Sequence, residues 1–337
     1  MDGRKVISTR RRVRAIAAAA LAAAMLAAGA APAAAQALPP SERLFNTDRY
    51  QTAAVVSEHA FPSGADTAYL VSGEIFADGL SAGAAAAQEG GPVLLSTRAS
   101  LPPATASELA RLDPTTVVIV GGTPSLSAGV EAEVRAVDPG MSVVRVAGAD
   151  RFETSRMVAE RAFESASSAF IATGLRFPDA LAAAPAAAAR SGPVLLVDGG
   201  RASLDAATEA TLESLGVAWA GVVGGEDAVS RGILDDLDAE LDVRRFAGPD
   251  RFATAVALLE VLSAADTVYI VSGERFEDAI AGGAAAGARG AAMLLARQAC
   301  MPSSTLAALE SLQPDRIILL GGEPTLGPSP ARYESCG

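Results

Sequence analysis

The sequence predicts an α/β protein made of three tandem three-layer units, each of about 100 residues, a common domain size. Three observations carry that prediction. One eleven-residue phrase is written three times, as RLFNTDRYQTA from Arg43, RVAGADRFETS from Arg145 and RFAGPDRFATA from Arg245, at intervals of 102 and then 100 residues. Each phrase is followed by the same blocks in the same order, the pattern that repeat architectures leave in a chain. Short apolar runs such as Tyr69 to Val71 and Val93 to Leu95 show no polar alternation, as expected of parallel strands covered by helices on both faces.

The first 37 residues read as an export signal. Arg4, Lys5, Arg10, Arg11, Arg12 and Arg14 form a basic start, Ala15 to Ala30 an apolar core, and A-x-A matches fall at Ala33 to Ala35 and Ala35 to Ala37. Thr9-Arg10-Arg11 is a partial twin-arginine match, which leaves the export route open. An apolar run of about 16 residues is short of the roughly 20 that a membrane span needs. Removal of this segment takes the formal net charge from −12 to −17 and leaves no lysine, since Lys5 is the only one. A diffuse acidic field disfavours nucleic acid and acidic membranes as partners. An anionic partner would have to be held locally, by particular arginines.

Within each copy, Asp48, Asp150 and Asp250 precede an apolar-periodic run as N-caps do, and Gln51 and Glu153 stand three residues later in capping-box position. The blocks that follow are SGEIFADGLSAG, GPVLLS, LPPATASELARL and VVIVGG in the first copy. The second copy has TGLRFPDALAAA, GPVLLV, SLDAATEATLESL and AGVVGG, and the third SGERFEDAIAGG, AAMLLA, MPSSTLAALESL and IILLGG. Strand, Gly-Gly and a polar helix start make a βα turn, and crossovers of this length come out right-handed. Two stretches, 179–197 and 279–296, are apolar enough to suggest membrane spans, but Pro185, Arg190 and Arg289 interrupt them. They read as core helix followed by strand. After Gly321-Gly322, EPTLGPSPARYESCG carries three prolines and cannot repeat the helix expected near Ser125 to Val137. The expected units are 38–144, 145–244 and a truncated 245–337, after the signal at 1–37.

Cys300 and Cys336 are the only cysteines. In an exported chain an even count suggests a disulfide, here closing 35 intervening residues and tethering the shortened tail, although free thiols or an intermolecular bridge fit the sequence as well.

These residues closely resemble the cell-wall-binding repeat type 2 family, found usually as three tandem copies in exported proteins of Gram-positive bacteria. The matching signatures are the R-x-x-G-x-D-R-[YF]-x-T-A opening, the S-G-x-x-F-x-D-A block, the P-x-L-L strand and the strand-Gly-Gly turn. Asn46 replaces the glycine of the opening in the first copy and Ser155 the final alanine in the second. The resemblance implies Rossmann-like or Toprim-like units around a pseudo-threefold axis, acting as one monomer with an internal pseudo-trimer. It also implies noncovalent attachment to an anionic wall polysaccharide or teichoic-type polymer, with frequent fusion to an amidase.

Enzymatic chemistry is hard to place on the chain. His59 is the only histidine and lies in the first predicted helix, whereas a zinc site wants three or four ligands and a serine triad needs a base. The turns at Gly121, Gly224 and Gly321 could offer amides to a phosphate, but no G-x-G-x-x-G follows, and Glu226, Asp227 and Glu323 would oppose one. Phe76 with Asp78, Phe177 with Asp179 and Phe276 with Asp278 read as helix caps with a ring packed beneath. Arg49, Arg151 and Arg251 each follow a cap aspartate in the first helical turn, where a cation opposes the helix dipole. Either a carboxylate of the same or a neighbouring unit takes the charge, or a polymer anion does. The expectation is a secreted, non-catalytic wall-binding protein without metal or cofactor, whose polymer contacts are Arg49, Arg151 and Arg251 with Asp48, Asp150 and Asp250. A peptidoglycan hydrolase of the amidase-linked autolysin kind and a self-associating surface-layer component are the alternatives.

Overall fold

A computed structural model describes residues 37–262 and 265–336. The expected export signal therefore lies, except for Ala37, outside the described residues. The remainder forms one compact unit holding three four-stranded sheets. The first sheet takes β2 (Thr67–Ser72), β3 (Val93–Ser96), β4 (Thr116–Val120) and β5 (Ser142–Val146) in the order β3-β2-β4-β5. The second takes β6 (Ser168–Thr173), β7 (Val194–Val197), β8 (Trp219–Val223) and β9 (Asp242–Phe246) in the order β7-β6-β8-β9. The third orders β11 (Ala292–Ala296), β10 (Thr267–Ser272), β12 (Arg316–Leu320) and finally β1 (Ser41–Leu44). Every pairing is parallel. Leu70, Val71, Phe170, Ile171, Ile270 and Val271 on the central strands are fully buried, which accounts for their unbroken apolar sequence.

Sheet and sequence repeat are out of phase. The fourth strand of the first and second sheets, β5 and β9, runs into the opening phrase of the next copy, and the helix after that strand packs on the next lobe instead. In the third sheet that slot is filled by β1, from the first copy, with Ser41 opposite Ile317 and Leu44 opposite Leu320. The chain is thereby closed into a ring. Around this closure Glu42 pairs with Arg316 at 2.8 Å, Ser41 Oγ donates to the Ala331 carbonyl at 3.0 Å and Tyr333 Oη to that of Pro39 at 2.5 Å.

The tail behaves as its prolines require. Where the first lobe has a helix at Ala128–Val137, the third has only Pro328–Ala331. Cys300 and Cys336 are disulfide-bonded with Cα atoms 5.0 Å apart. Beside the bridge, Met301 N–H donates to Glu334 O at 2.8 Å and Cys336 N–H to Met301 O at 2.9 Å, so the tail lies against the lobe as a strand-like strip.

The two membrane-like stretches are core helix and strand, and among the described residues no helix is long and apolar enough to cross a membrane. Helices Gly79–Gln88, Ala183–Ala189 and Glu277–Ala288 pack on one another around the centre. The middle one opens as a 3₁₀ turn, Ala180–Ala182, because Pro185 has no N–H to return to the Leu181 carbonyl. At the head of these helices the rings of Phe76, Phe177 and Phe276 meet with centroids 5.5, 5.9 and 6.0 Å apart. Those nearly equal separations mark the pseudo-threefold axis.

Candidate functional site

The opening phrase works as a staple between neighbouring lobes. Its first arginine sits on the fourth strand and reaches back to the Gly-Gly turn of that sheet. Arg43 Nη1 donates to Gly321 O at 2.7 Å and Leu326 O at 2.8 Å, Arg145 Nη1 to Gly121 O at 2.8 Å, and Arg245 Nη1 to Gly224 O at 2.7 Å. Three residues on, the chain turns, and the Thr52, Thr154 and Thr254 hydroxyls accept from the N–H of Asn46, Gly148 and Gly248 at 3.1 to 3.2 Å. The helix that follows belongs to the next lobe.

The three aspartates cap that helix as expected, all with extended backbone: Asp48 accepts from Gln51 N–H, Asp150 from Phe152 and Glu153 N–H, and Asp250 from Ala253 N–H. The reciprocal half of the capping box differs. Gln51 Nε2 bonds the Asp48 carboxylate itself, and Glu153 takes the N–H of Ala149 rather than that of Asp150. The second arginine then binds the glycine that ends the central strand of its own lobe. Arg49 Nη1 donates to Gly73 O at 2.5 Å, Arg151 Nη1 to Gly174 O at 2.7 Å and Arg251 Nη1 to Gly273 O at 2.6 Å. Arg49 also pairs with Glu277 of the third lobe at 2.6 Å. Among the described residues Arg151 and Arg251 have no carboxylate within ion-pair distance.

Two seams between lobes are shallow clefts that bring an opening phrase against a Phe-x-Asp block. Lobes 3 and 1 enclose about 290 Å³ between Asp48, Arg49 and Thr52 on one side and Arg275, Glu277 and Asp278 on the other. Lobes 2 and 3 enclose about 320 Å³ between Asp250, Arg251 and Thr254 and Arg176, Asp179 and Asp227. In the seam between lobes 1 and 2, Arg151 lies over the Phe76 ring, 5.6 Å from its centroid.

The expected capping role of Asp78, Asp179 and Asp278 is corrected here. Asp78 and Asp179 sit at helix starts with no side-chain cap bond, and Asp278 is already inside its helix. Their backbones are helical, at φ −71° and ψ −28° for Asp78, so the side chain cannot fold back over its own first turn as an extended cap residue does. Instead the carboxylates turn to the Gly-Gly turns. Gly121 and Gly321 have φ of 107° and 104°, and a Cβ on either would fall on Oδ2 of Asp78 or Asp278. Glycine is required there twice over. Ser125 Oγ donates to Asp78 Oδ2 at 2.8 Å.

Burial raises the pKa of all three carboxyls. Asp278 is pushed to about 6 by burial first and by neighbouring Glu277, against Arg49 and Arg275. A carboxyl raised in the fold contributes stability that is complete below its ordinary pKa near 4 and lost as pH rises through about 6. Asp278→Asn keeps the shape without the charge. It is expected to raise stability at pH 7 to 8 by about 2 to 3 kcal/mol and to flatten the pH dependence of the melting temperature between 4 and 6. A variant that melts lower than the parent at pH 8 contradicts this assignment.

His59 is half-buried in the helix Arg49–Ala60, its pKa lowered by burial. The first arginine of each phrase, Arg43, Arg145 and Arg245, escaped the sequence reading of the site. Their recurrence with the phrase was visible; which carbonyls they would reach was not.

Three parallel α/β lobes closed into a ring by the first strand, with arginines stapling every seam, define a three-lobed repeat module. The chain belongs to the cell wall binding domain 2 family, whose model matches residues 43–131, 145–234 and 245–329. It is 28% identical over 286 residues to N-acetylmuramoyl-L-alanine amidase LytC of Bacillus subtilis strain 168, a match that covers 85% of this chain and 56% of that protein. The amidase enhancer of the same organism is 27% identical over 265 residues, covering 78% of this chain and 36% of the enhancer. Among solved structures, Cwp6 from Clostridium difficile superposes with a TM-score of 0.80 at 24% identity, over 87% of this chain and 48% of that one. Cwp8 from the same organism gives 0.76 at 28% identity, over 85% and 50%. The chain thus spans little more than half the length of the amidase and about half that of the two solved structures. The α/β class and threefold repetition expected from the sequence are those observed.

Proposed function

We propose that this is a secreted, non-catalytic protein that attaches noncovalently to an anionic cell-wall polymer through its repeats. The observation that carries the reading is the recurrence of one half-buried arginine, Arg49, Arg151 or Arg251, at each of three seams of a rigid ring. Asp48, Asp150 and Asp250 fix the helix start that aims each arginine. One guanidinium nitrogen is spent on a glycine carbonyl; the others leave a planar donor edge suited to phosphate or carboxylate oxygens. Weak contacts repeated on one body, facing a repeating polymer, gain strength through effective concentration.

Sedimentation with native walls tests this. Wild-type protein is expected to sediment with native walls and to stay in solution with walls stripped of secondary polymers by acid. A variant with Arg49, Arg151 and Arg251 all changed to Gln, shown to be folded by its melting curve, is expected to lose about tenfold or more in retention. Equal retention by that variant rejects the arginine assignment, and failure of the wild type to sediment rejects the function. A cleared band in a zymogram of purified walls would replace the non-catalytic reading with the hydrolase one.

A further inference from the structure

The three seams differ in the residue just before each phenylalanine of the Phe-x-Asp block. The third lobe has Arg275 there, the second Arg176 and the first Ile75, all of them exposed. In the seam between lobes 3 and 1, Arg275 lines the same cavity as Arg49. Between lobes 2 and 3, Arg176 lines the same cavity as Arg251. The carboxyls beside these arginines carry the same asymmetry: Asp278 feels the charges of Arg49 and Arg275, Asp179 those of Arg176 and Arg251, and Asp78 that of Arg151.

The added arginines are not consumed by ion pairs. Among the described residues neither Arg275 nor Arg176 has a carboxylate within 4.0 Å, and Arg176 Nη2 donates only to the Asp227 backbone carbonyl, at 2.7 Å. Glu277 is paired with Arg49, which leaves Arg275 without an ion-pair partner of its own, although Asp48 and Asp278 also line the cavity. Carboxylates line both cavities as well, but only the arginines can donate to an anion, and two guanidiniums lining one small cavity let an anion gain from both. The seam between lobes 1 and 2 lacks this device. Arg151 bonds the Gly174 carbonyl as Arg49 and Arg251 bond theirs, but it also lies over the Phe76 ring, and the residue matching Arg275 and Arg176 is the aliphatic Ile75.

We propose that the seams between lobes 3 and 1 and between lobes 2 and 3 each hold one anionic group, a phosphodiester or a carboxylate, between paired arginines, whereas the seam between lobes 1 and 2 holds none. Arg275 and Arg176 are then the residues that decide which seams bind. This inference rests on the wall-binding reading and narrows it from three equivalent contacts to two. Glu226 and Asp227 on the rim make the seam between lobes 2 and 3 the weaker one.

Retention of the full chain on native walls, as a function of added protein, tests the proposal. Arg275→Ile and Arg176→Ile are expected to lower affinity several-fold each, the first more, and the double variant by about tenfold or more. Ile75→Arg, which supplies the third seam with its missing partner, is expected to raise affinity several-fold. These side chains are exposed, so melting curves should match the parent. Two arms identify the anion: walls stripped of phosphate polymers by acid, and walls with carboxylates blocked by carbodiimide coupling to a neutral amine. Loss in the first arm assigns a phosphodiester and loss in the second a carboxylate; retention in both overturns the anion class. If wild type is retained on native walls but the double variant is retained equally, this inference fails while the wall-binding reading stands. If wild type is not retained, both fail.

Discussion

Replacing Cys300 and Cys336 by serine is expected to lower stability by about 3 to 4 kcal/mol, the chain entropy released when a loop of 35 intervening residues is no longer closed. The effect should concentrate at the ring closure. The bridge holds a tail whose residues brace β1: Ala331 accepts from Ser41, and Tyr333 donates to Pro39. Arg43, on β1, depends on the same segment, since its guanidinium bonds the carbonyls of Leu326 and Gly327 as well as Gly321. Freeing the tail therefore loosens the strand that completes the third sheet. Hydrogen exchange at the Ser41 to Leu44 amides should accelerate more than at β5 or β9, which hold the equivalent edge without a disulfide. A serine variant with parental melting temperature and parental exchange at β1 would show that strand pairing alone closes the ring.

Much of this was legible in the sequence because the information was local and written three times. A cap aspartate before an apolar run specifies where a helix starts wherever it is packed, and all three starts were found. Unalternated runs specify strands covered on both faces. The phase offset between repeat and sheet was not legible. Ser41–Leu44 is four residues with two charges, and nothing in it says that its partner lies at Ile317 to Leu320, because parallel pairing of distant segments leaves no local pattern. The phenylalanines show the same limit. Each block reads as a ring under its own helix, yet the three rings meet one another, a contact that exists only once all three lobes are assembled. The Phe-x-Asp aspartates looked like caps because their position was right; their helical backbone, which a residue type cannot reveal, ruled the cap out. The arginines of the first helical turn stand out in the sequence, but nothing in it says that they lie at seams or that one nitrogen of each guanidinium bonds a glycine carbonyl.

The axis itself makes the second large effect predictable. Gly287 lies on the helix Glu277–Ala288, where it meets the other two central helices together. A Cβ placed on it would stand 2.8 Å from the Cβ of Ala188 and 2.9 Å from that of Ala87, one in the second lobe and one in the first. Neither neighbour can rotate away, since a Cβ moves only with its backbone. Glycine in a helix costs about 1 kcal/mol relative to alanine, and here the close approach of three lobes offsets it. Gly287→Ala gains that propensity and meets two contacts at once, so a net loss of about 1 to 2 kcal/mol is expected. Gly287→Leu should lose about 3 kcal/mol or more, because a branched side chain can enter only by pushing lobes apart. Gly225→Ala is the control. No atom lies within 4 Å of its added Cβ, and it should stay within about 0.5 kcal/mol of the parent. Urea unfolding of the three variants separates crowding at the axis from the general effect of removing a glycine. Near-parental stability of Gly287→Leu would mean that the lobes are not pressed together there, and that the ring is held by its arginine staples and shared strands alone.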